Sequence, residues 1–298
     1  MISILALALA LCALPQNPID SPEHLKPLVP APTQTAAAPP NKPQAQPTQQ
    51  AASSTLGSER RQGSLQSGAS QVPDSGVGPR KLDPNQAVPF AHNRTLLKIN
   101  GVAIRASEIN ELVAYYRSCQ TGIADLQLTA AVNALLPLKV MSAHFKNDLP
   151  GMLDQIDAAY AAIVGGEDFA AVVKRYSEDS EAPNAEGRYT FGRGRAVQPF
   201  DRLSFSLPLN TLSHPFLSVY GFHLIEVLDY ERAAKPADDR STMRHILIMY
   251  PGMIALEKEG KDVRTWIKEQ VKAAKIEVVE AGMENLVPAA YRKQIVRD

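Results

Sequence analysis

No phenylalanine, tyrosine or tryptophan occurs before Phe90 in a chain of 298 residues. Aromatic side chains dominate core energetics, so the first 89 residues lack the groups a core is built from. The same stretch holds fourteen of the 23 prolines, Pro15 to Pro89, and is otherwise rich in Gln, Ala and Ser. Such a composition cannot bury enough apolar surface to offset the entropy of ordering, and residues 15–92 are expected to be a disordered linker. As a flexible coil that segment spans about 50 Å, and proline stiffening extends it. The folding information therefore lies in the remaining ~205 residues, enough for one to two small domains.

Residues 1–14 form an apolar leader whose run from Ile2 to Leu14 suits the hydrophobic region of a signal peptide and is too short to span a bilayer as a helix. Export is the favoured reading. The leader has no Lys or Arg at its start, and Ala13-Leu14-Pro15 is a poor cleavage site, so a retained anchor and a misplaced start stay open. Leu11 before Cys12 lacks the small residue of a lipidation site. Apart from Cys12 the only cysteine is Cys119, so no internal disulfide framework is available. Lysine and arginine together number 31, as do aspartate and glutamate, which gives no support for nucleic-acid binding. A local basic group, Arg188, Arg193, Arg195 and Arg202, reads as a solvated loop.

Organised sequence begins at Leu96-Leu97-Lys98-Ile99, then Asn100-Gly101, then Val102-Ala103-Ile104. Asn-Gly between two β-prone runs predicts a hairpin. Ser107 is the expected N-cap of a helix reaching Ser118, with Ile109, Leu112, Val113 and Tyr116 on one face. Two more helices are predicted, from about Thr129 to Lys146 with Pro137 inside, and from Pro150 to Val164 ending at Gly165-Gly166.

The most informative block runs Gly166-Glu167-Asp168-Phe169, Tyr176-Ser177-Glu178-Asp179, Phe191-Gly192-Arg193-Gly194, Pro199-Phe200, Phe205-Ser206-Leu207 and Gly221-Phe222-His223-Leu224-Ile225-Glu226-Val227. This ordered series resembles the parvulin family of peptidyl-prolyl isomerases over roughly Gly165 to Tyr230. The flanks, Leu97 to Ile104 followed by a helix, and Trp266 to Glu269 followed by Ala274 to Val278, are similar to the two ends of exported SurA-like and PrsA-like foldases. The resemblance implies an α+β fold: an antiparallel four-stranded parvulin sheet with surrounding helices at 150–250, a small mainly helical chaperone-like module at 93–149, and a C-terminal helix and strand at 251–298 packing on that module.

Prolyl isomerisation makes and breaks no bond; its obstacle is the partial double bond of the imide. A site needs an apolar slot for the ring and polar groups that orient the twisted amide, and no metal or cofactor. By resemblance the catalytic positions are Asp179, His223 and a histidine opening a His-Ile-Leu-Ile strand, while Phe191, Ala196, Phe200 and Tyr220 bind substrate, with Phe200 forming the prolyl pocket. Alone, Asp179 would read as a turn residue and His223 as a core histidine; the ordered series is what assigns them. His214, His223 and His245 have no metal-site spacing.

The family places the His-Ile-Leu-Ile strand before the helix that leads into the Gly-x-Asp-Phe motif. Here the best match, Met243-Arg244-His245-Ile246-Leu247-Ile248, comes after the last strand. Either His245 fills the vacant strand position from the other end, a circular permutation, or Ser142-Ala143-His144-Phe145 supplies the histidine. The β-forming character of Ile246 to Tyr250 favours His245. Opening a second, degenerate repeat is the third account, and the residues after Tyr250 lack the motifs for it.

Two departures bear on turnover. Ala185-Glu186-Gly187-Arg188-Tyr189 replaces the usual Gly-Gly-Asp-Leu-Gly, and Ala196 stands where a methionine commonly lines the pocket. The expected function is isomerisation and folding of unfolded or proline-containing client polypeptides outside the cytoplasm, in the periplasm or tethered to a membrane or cell envelope. The alternatives are a non-catalytic holdase of parvulin shape and a cell-envelope scaffold.

Overall fold

The computed structural model describes residues 78–80, 86–119, 124–179 and 186–296. The leader and most of the expected linker lie outside the described residues. In chain order the first elements are β1 (Thr95–Ile99), β2 (Val102–Arg105), α1 (Ala106–Ser118), α2 (Ala124–His144), α3 (Leu149–Val164) and α4 (Phe169–Tyr176). They are followed by β3 (Arg188–Gly192), α5 (Phe200–Ser204), β4 (Phe216–Leu217), β5 (Gly221–Glu231) and β6 (Arg240–Met249). The last are α6 (Pro251–Lys258), α7 (Val263–Lys272), β7 (Ile276–Val278) and β8 (Ile295–Val296).

The β1–β2 hairpin turns on Asn100 and Gly101, at φ of 48° and 86°. Asn-Gly adopts this left-handed pair at low cost, and the turn sets Ile99 opposite Val102. The helix that follows starts one residue before the expected cap. The backbone N–H of Arg105 donates to the Glu108 carboxylate at 2.9 Å, so the capping role falls to that pair, while Ser107 N–H is taken by Asn93 Oδ1. The second helix begins at Ala124, earlier than expected, and carries Pro137 inside it. The third ends as read, with Gly165 as C-cap and Gly166 at φ 93°.

Two four-stranded sheets form. The first has the order β2-β1-β7-β8, so strands from the C-terminal part return to the N-terminal hairpin; β7 runs antiparallel to β1, with Leu97 opposite Val278. Helices α1 and α2 pack on it, and α7 packs on α2. The second sheet has the order β3-β6-β5-β4 and is antiparallel throughout. Its inner strand β6 follows β5 in the chain and pairs with it from Gly221↔Met249 to Glu231↔Arg240. The strand that the resemblance places before α3 is thus supplied after β5.

Alternation along β6 puts its residues on two faces. The Arg244 guanidinium lies 4.2 Å from the Phe169 ring centroid, so Arg244, Ile246 and Ile248 face α4. His245 lies 5.3 Å from Phe200 between ring centroids, so Met243, His245 and Leu247 face α5. Both faces are covered, and residues 245–249 are all buried, as expected of an inner strand.

Residues within the expected linker 15–92 make contacts with the folded region. Arg80 makes paired contacts of 2.6 and 2.8 Å to Asp239, and Arg232 donates to the carbonyls of Gly78 and Pro79. Phe90 exchanges two hydrogen bonds with the Asn110 side chain. A charged arginine meeting a carboxylate that is nearly buried, and an aromatic ring with an amide to hold its backbone, give these residues reasons to order that their proline-rich surroundings conceal.

Candidate active site

The two histidines meet through strand register. His223 pairs with Leu247 and His245 with Ile225, so they are diagonal neighbours on one face of the β5–β6 ladder. Their rings stack at 5.7 Å and 17°. The other candidate, His144, ends α2 and sits edge-on to Phe145 and Trp266, at 4.7 and 5.4 Å. His214 stacks on Tyr160.

Asp179 arrives through the loop after α4. Where β3 ends, the Tyr-Ser-Glu-Asp motif takes over the free edge of β6: Glu178 N–H donates to Leu247 C=O at 2.8 Å, Leu247 N–H to Ser177 Oγ at 3.2 Å, and Met249 N–H to Glu178 Oε2 at 2.8 Å. Three successive residues are thereby registered on the strand. The third, Asp179, accepts from His245 Nε2–H at 2.8 Å. On the other side of the carboxylate the Tyr189 hydroxyl donates to the same Oδ2 at 2.7 Å. The side chains of His245 and Asp179 are 0% and 3% exposed.

His223 is closed off by the β4–β5 hairpin. Ser218 Oγ lies 2.7 Å from its Nε2, and Tyr220 N–H donates to the same hydroxyl at 3.0 Å. Phe216, opposite His223 in the ladder, stacks on its ring at 5.4 Å. Burial, and after it the neighbouring His245, push the His223 imidazole well below the ordinary histidine range, against the pull of Asp179. It is a neutral hydrogen-bonding ring at physiological pH.

Phe200 opens α5 and presents its edge to both histidines, at 5.2 Å to His223 and 5.3 Å to His245. Phe191 on β3 lies 5.9 Å from it and Phe216 6.2 Å, forming an apolar wall beside the polar network. Ala196 is half-buried in the segment before α5, its N–H directed at Asp201 Oδ1. Tyr220 is buried at the turn into β5, its carbonyl accepting from Tyr250 N–H. Asp179, His223, His245, Phe191 and Phe200 are brought together; Ala196 and Tyr220 are held in the loops that frame them.

Sequence reasoning missed Ser218, Phe216, Tyr189 and Asp201. The first two were accessible from the hairpin before Gly221, which must lay Phe216 and Ser218 against His223. Asp201, fully buried beside Phe200, accepts from the Tyr115 hydroxyl of α1 at 2.5 Å and from Gly194 N–H at 2.9 Å. Burial raises its carboxyl to about 6, against those donors and Arg193. Arg193 in turn bonds Asp239 at 3.2 Å and lies over the Phe205 ring at 4.5 Å. Thus the one group of basic residues read as solvated contributes Arg193 to a buried network that fixes the segment carrying Phe200.

A family model for the PPIC-type PPIase domain, rotamase, matches residues 138–229. Among curated proteins, the chain is 28% identical over 123 residues to a protein named "Foldase protein PrsA" from Geobacillus sp. (strain WCH70), covering 41% of this chain and 42% of that one. It is 39% identical over 75 residues to "Foldase protein PrsA 3" of Bacillus anthracis, covering 25% and 26%. To "Chaperone SurA" of Hahella chejuensis (strain KCTC 2396) it is 34% identical over 79 residues, 26% of this chain and 18% of that one. The chain spans less than half the length of these relatives. The matched region contains Asp179, Phe200 and His223 and stops before β6 and His245. By that match and its α+β fold, the chain carries a parvulin, a PPIC-type peptidyl-prolyl isomerase domain, with homologues named PrsA foldase and SurA chaperone.

Proposed function

We propose that this protein isomerises X-Pro bonds in unfolded or maturing polypeptides and holds them while they fold, outside the cytoplasm after export through its apolar leader. The observation that carries the reading is a single connected set: Ser218, His223, His245, Asp179 and Tyr189 linked by hydrogen bonds and a ring stack, with Phe200 edge-on to both imidazoles.

The imide is planar because resonance gives its C–N bond partial double-bond character, with a barrier of about 18–20 kcal/mol, and water stabilises that charge-separated form. A prolyl ring set against Phe200, beside Phe191 and Phe216, loses that water, which favours the twisted, less polar amide. Asp179, held by the Tyr189 hydroxyl and His245, and the neutral ring of His223 then orient the twisted group without exchanging a bond. The reaction calls for no cofactor. The homologues' names, foldase and chaperone, support client polypeptides as partners. The returning strand β7, paired to β1 of the N-terminal hairpin, with β8 beside it, belongs to the flanking module that would grip them.

The test is proline-limited isomerisation of a tetrapeptide by the full chain, with client aggregation followed in parallel. Acceleration that falls in Asp179→Ala and His223→Ala supports the reading. A rate equal to the uncatalysed one, with aggregation still suppressed, identifies a holdase instead and overturns the isomerase reading. If both substitutions leave turnover unchanged, the site assignment fails.

A further inference from the structure

Tyr189 stands where the parvulin resemblance expects the last glycine of Gly-Gly-Asp-Leu-Gly, and nothing in that motif accounts for a phenol. On β3 it pairs with Met243, two residues from His245 on the same face of β6, and is 5% exposed. Its ring sits edge-on to the His245 imidazole at 5.1 Å and 75°, and its hydroxyl donates to Asp179 Oδ2 at 2.7 Å. The same oxygen accepts from His245 Nε2–H. The neighbouring Gly187 makes this possible. At φ 62° its carbonyl accepts from His245 N–H at 3.0 Å, and a side-chain carbon there would lie 2.5 Å from the His245 carbonyl oxygen. The strand entry is therefore held close enough to β6 for Tyr189 to reach the carboxylate.

We propose that Tyr189 is a positioning residue for the isomerase site: its hydroxyl fixes the rotamer of Asp179 and holds the carboxylate ionised, so that His245 keeps one orientation. The inference rests on the isomerase reading for its consequence in turnover. Hydrogen bonds donated to a carboxylate favour its charged form against the cost of burial, so removing one donor raises its pKa. Among the described residues the titratable groups around it are His245 on β6, His223 on β5 and Glu178 in its own loop, whose carboxyl burial raises against the Met249 N–H bond and Lys258. On the β3 side Arg188 and Glu186 are exposed and pair with each other at 3.8 Å.

Tyr189→Phe in the full chain keeps the ring and its edge contact and deletes only the donor. Two measurements follow: the pH profile of kcat/KM between pH 4 and 8, and the titration of the Asp179 carboxyl carbon by NMR, assigned by its loss in Asp179→Asn. The expected result is a rise of the carboxyl midpoint by about one pH unit, with the acid limb of the profile moving by the same amount and a roughly tenfold loss of kcat/KM on that limb. Superimposable titrations in wild type and Tyr189→Phe, with thermal unfolding showing both folded, overturn the inference. A shifted titration in a chain that shows no turnover at all supports the pairing and overturns the isomerase reading, so the two failures are distinct.

Discussion

Replacing Ile246 with alanine tests whether β6 is the inner strand of the isomerase sheet. Ile246 is 0% exposed, sits opposite Leu224, itself 0% exposed, and faces α4 from the middle of the sheet. Truncation removes three carbons from a site enclosed by two strands and the helices covering them, where little can collapse into the space. Such large-to-small changes cost about 2–5 kcal/mol. For a folded region of about 200 residues each kcal/mol lowers Tm by about 2–4 °C, so a fall of roughly 10 °C is expected. Urea and thermal unfolding followed by circular dichroism measure it. Leu153→Ala on the outer face of α3, where the side chain is 40% exposed, serves as the control and should change stability by no more than about 0.5 kcal/mol. If Ile246→Ala behaves like the control, β6 is not buried between β3 and β5 and the permuted arrangement is wrong.

Gly221→Ala should destabilise the site end of the sheet by several kcal/mol, since its φ is 145° and a side-chain carbon there would sit 2.1 Å from the Ile248 carbonyl oxygen; unchanged unfolding and turnover would refute this. Asp201 binds its proton more tightly folded, at about 6, than unfolded, so stability it contributes below pH 4 is lost as pH rises through 6, on the order of 3 kcal/mol. Comparing unfolding free energies of wild type and Asp201→Asn at pH 4 and 7 should show that difference, and parallel pH dependences would contradict it. His223 acts with the opposite sign: its folded-state pKa is depressed, so stability is lost as pH falls below its unfolded value of about 6.5. Its imidazole resonances should therefore stay those of the neutral ring as pH is lowered past 6.5, and protonation at or above that pH would contradict the buried assignment.

Local chemistry made much of this molecule legible in advance. Asn100-Gly101 fixes a hairpin because few other pairs tolerate two left-handed residues, and left-handed Gly166, after the C-cap Gly165, ends a helix for the same reason. Asp179 and His223 were identifiable because each belongs to a motif whose order carries information that a single residue does not. What stayed hidden depends on contacts distant in sequence. Tyr115 reaches Asp201 across 86 positions, and Arg80 reaches Asp239 across 159; neither pair has a local signature. Tyr189 looked like the loss of a glycine because its partner, Asp179, lies in a separate loop. Composition averages over a window and for a related reason does not show one arginine meeting one buried carboxylate. The choice between His144 and His245 turned on β propensity against family spacing. Propensity reflects what the strand must do, which is fill a position covered on both faces, and spacing reflects only the usual order of the chain.

The region matched by the family model contains His144 and excludes His245. The most direct measurement is kcat/KM for a proline tetrapeptide in His245→Gln and His144→Gln, each checked for an unchanged unfolding midpoint. The account predicts a loss of at least about tenfold for His245→Gln, which disrupts the pairing with Asp179 and His223, and wild-type activity for His144→Gln. Wild-type activity in His245→Gln with a loss in His144→Gln would contradict it.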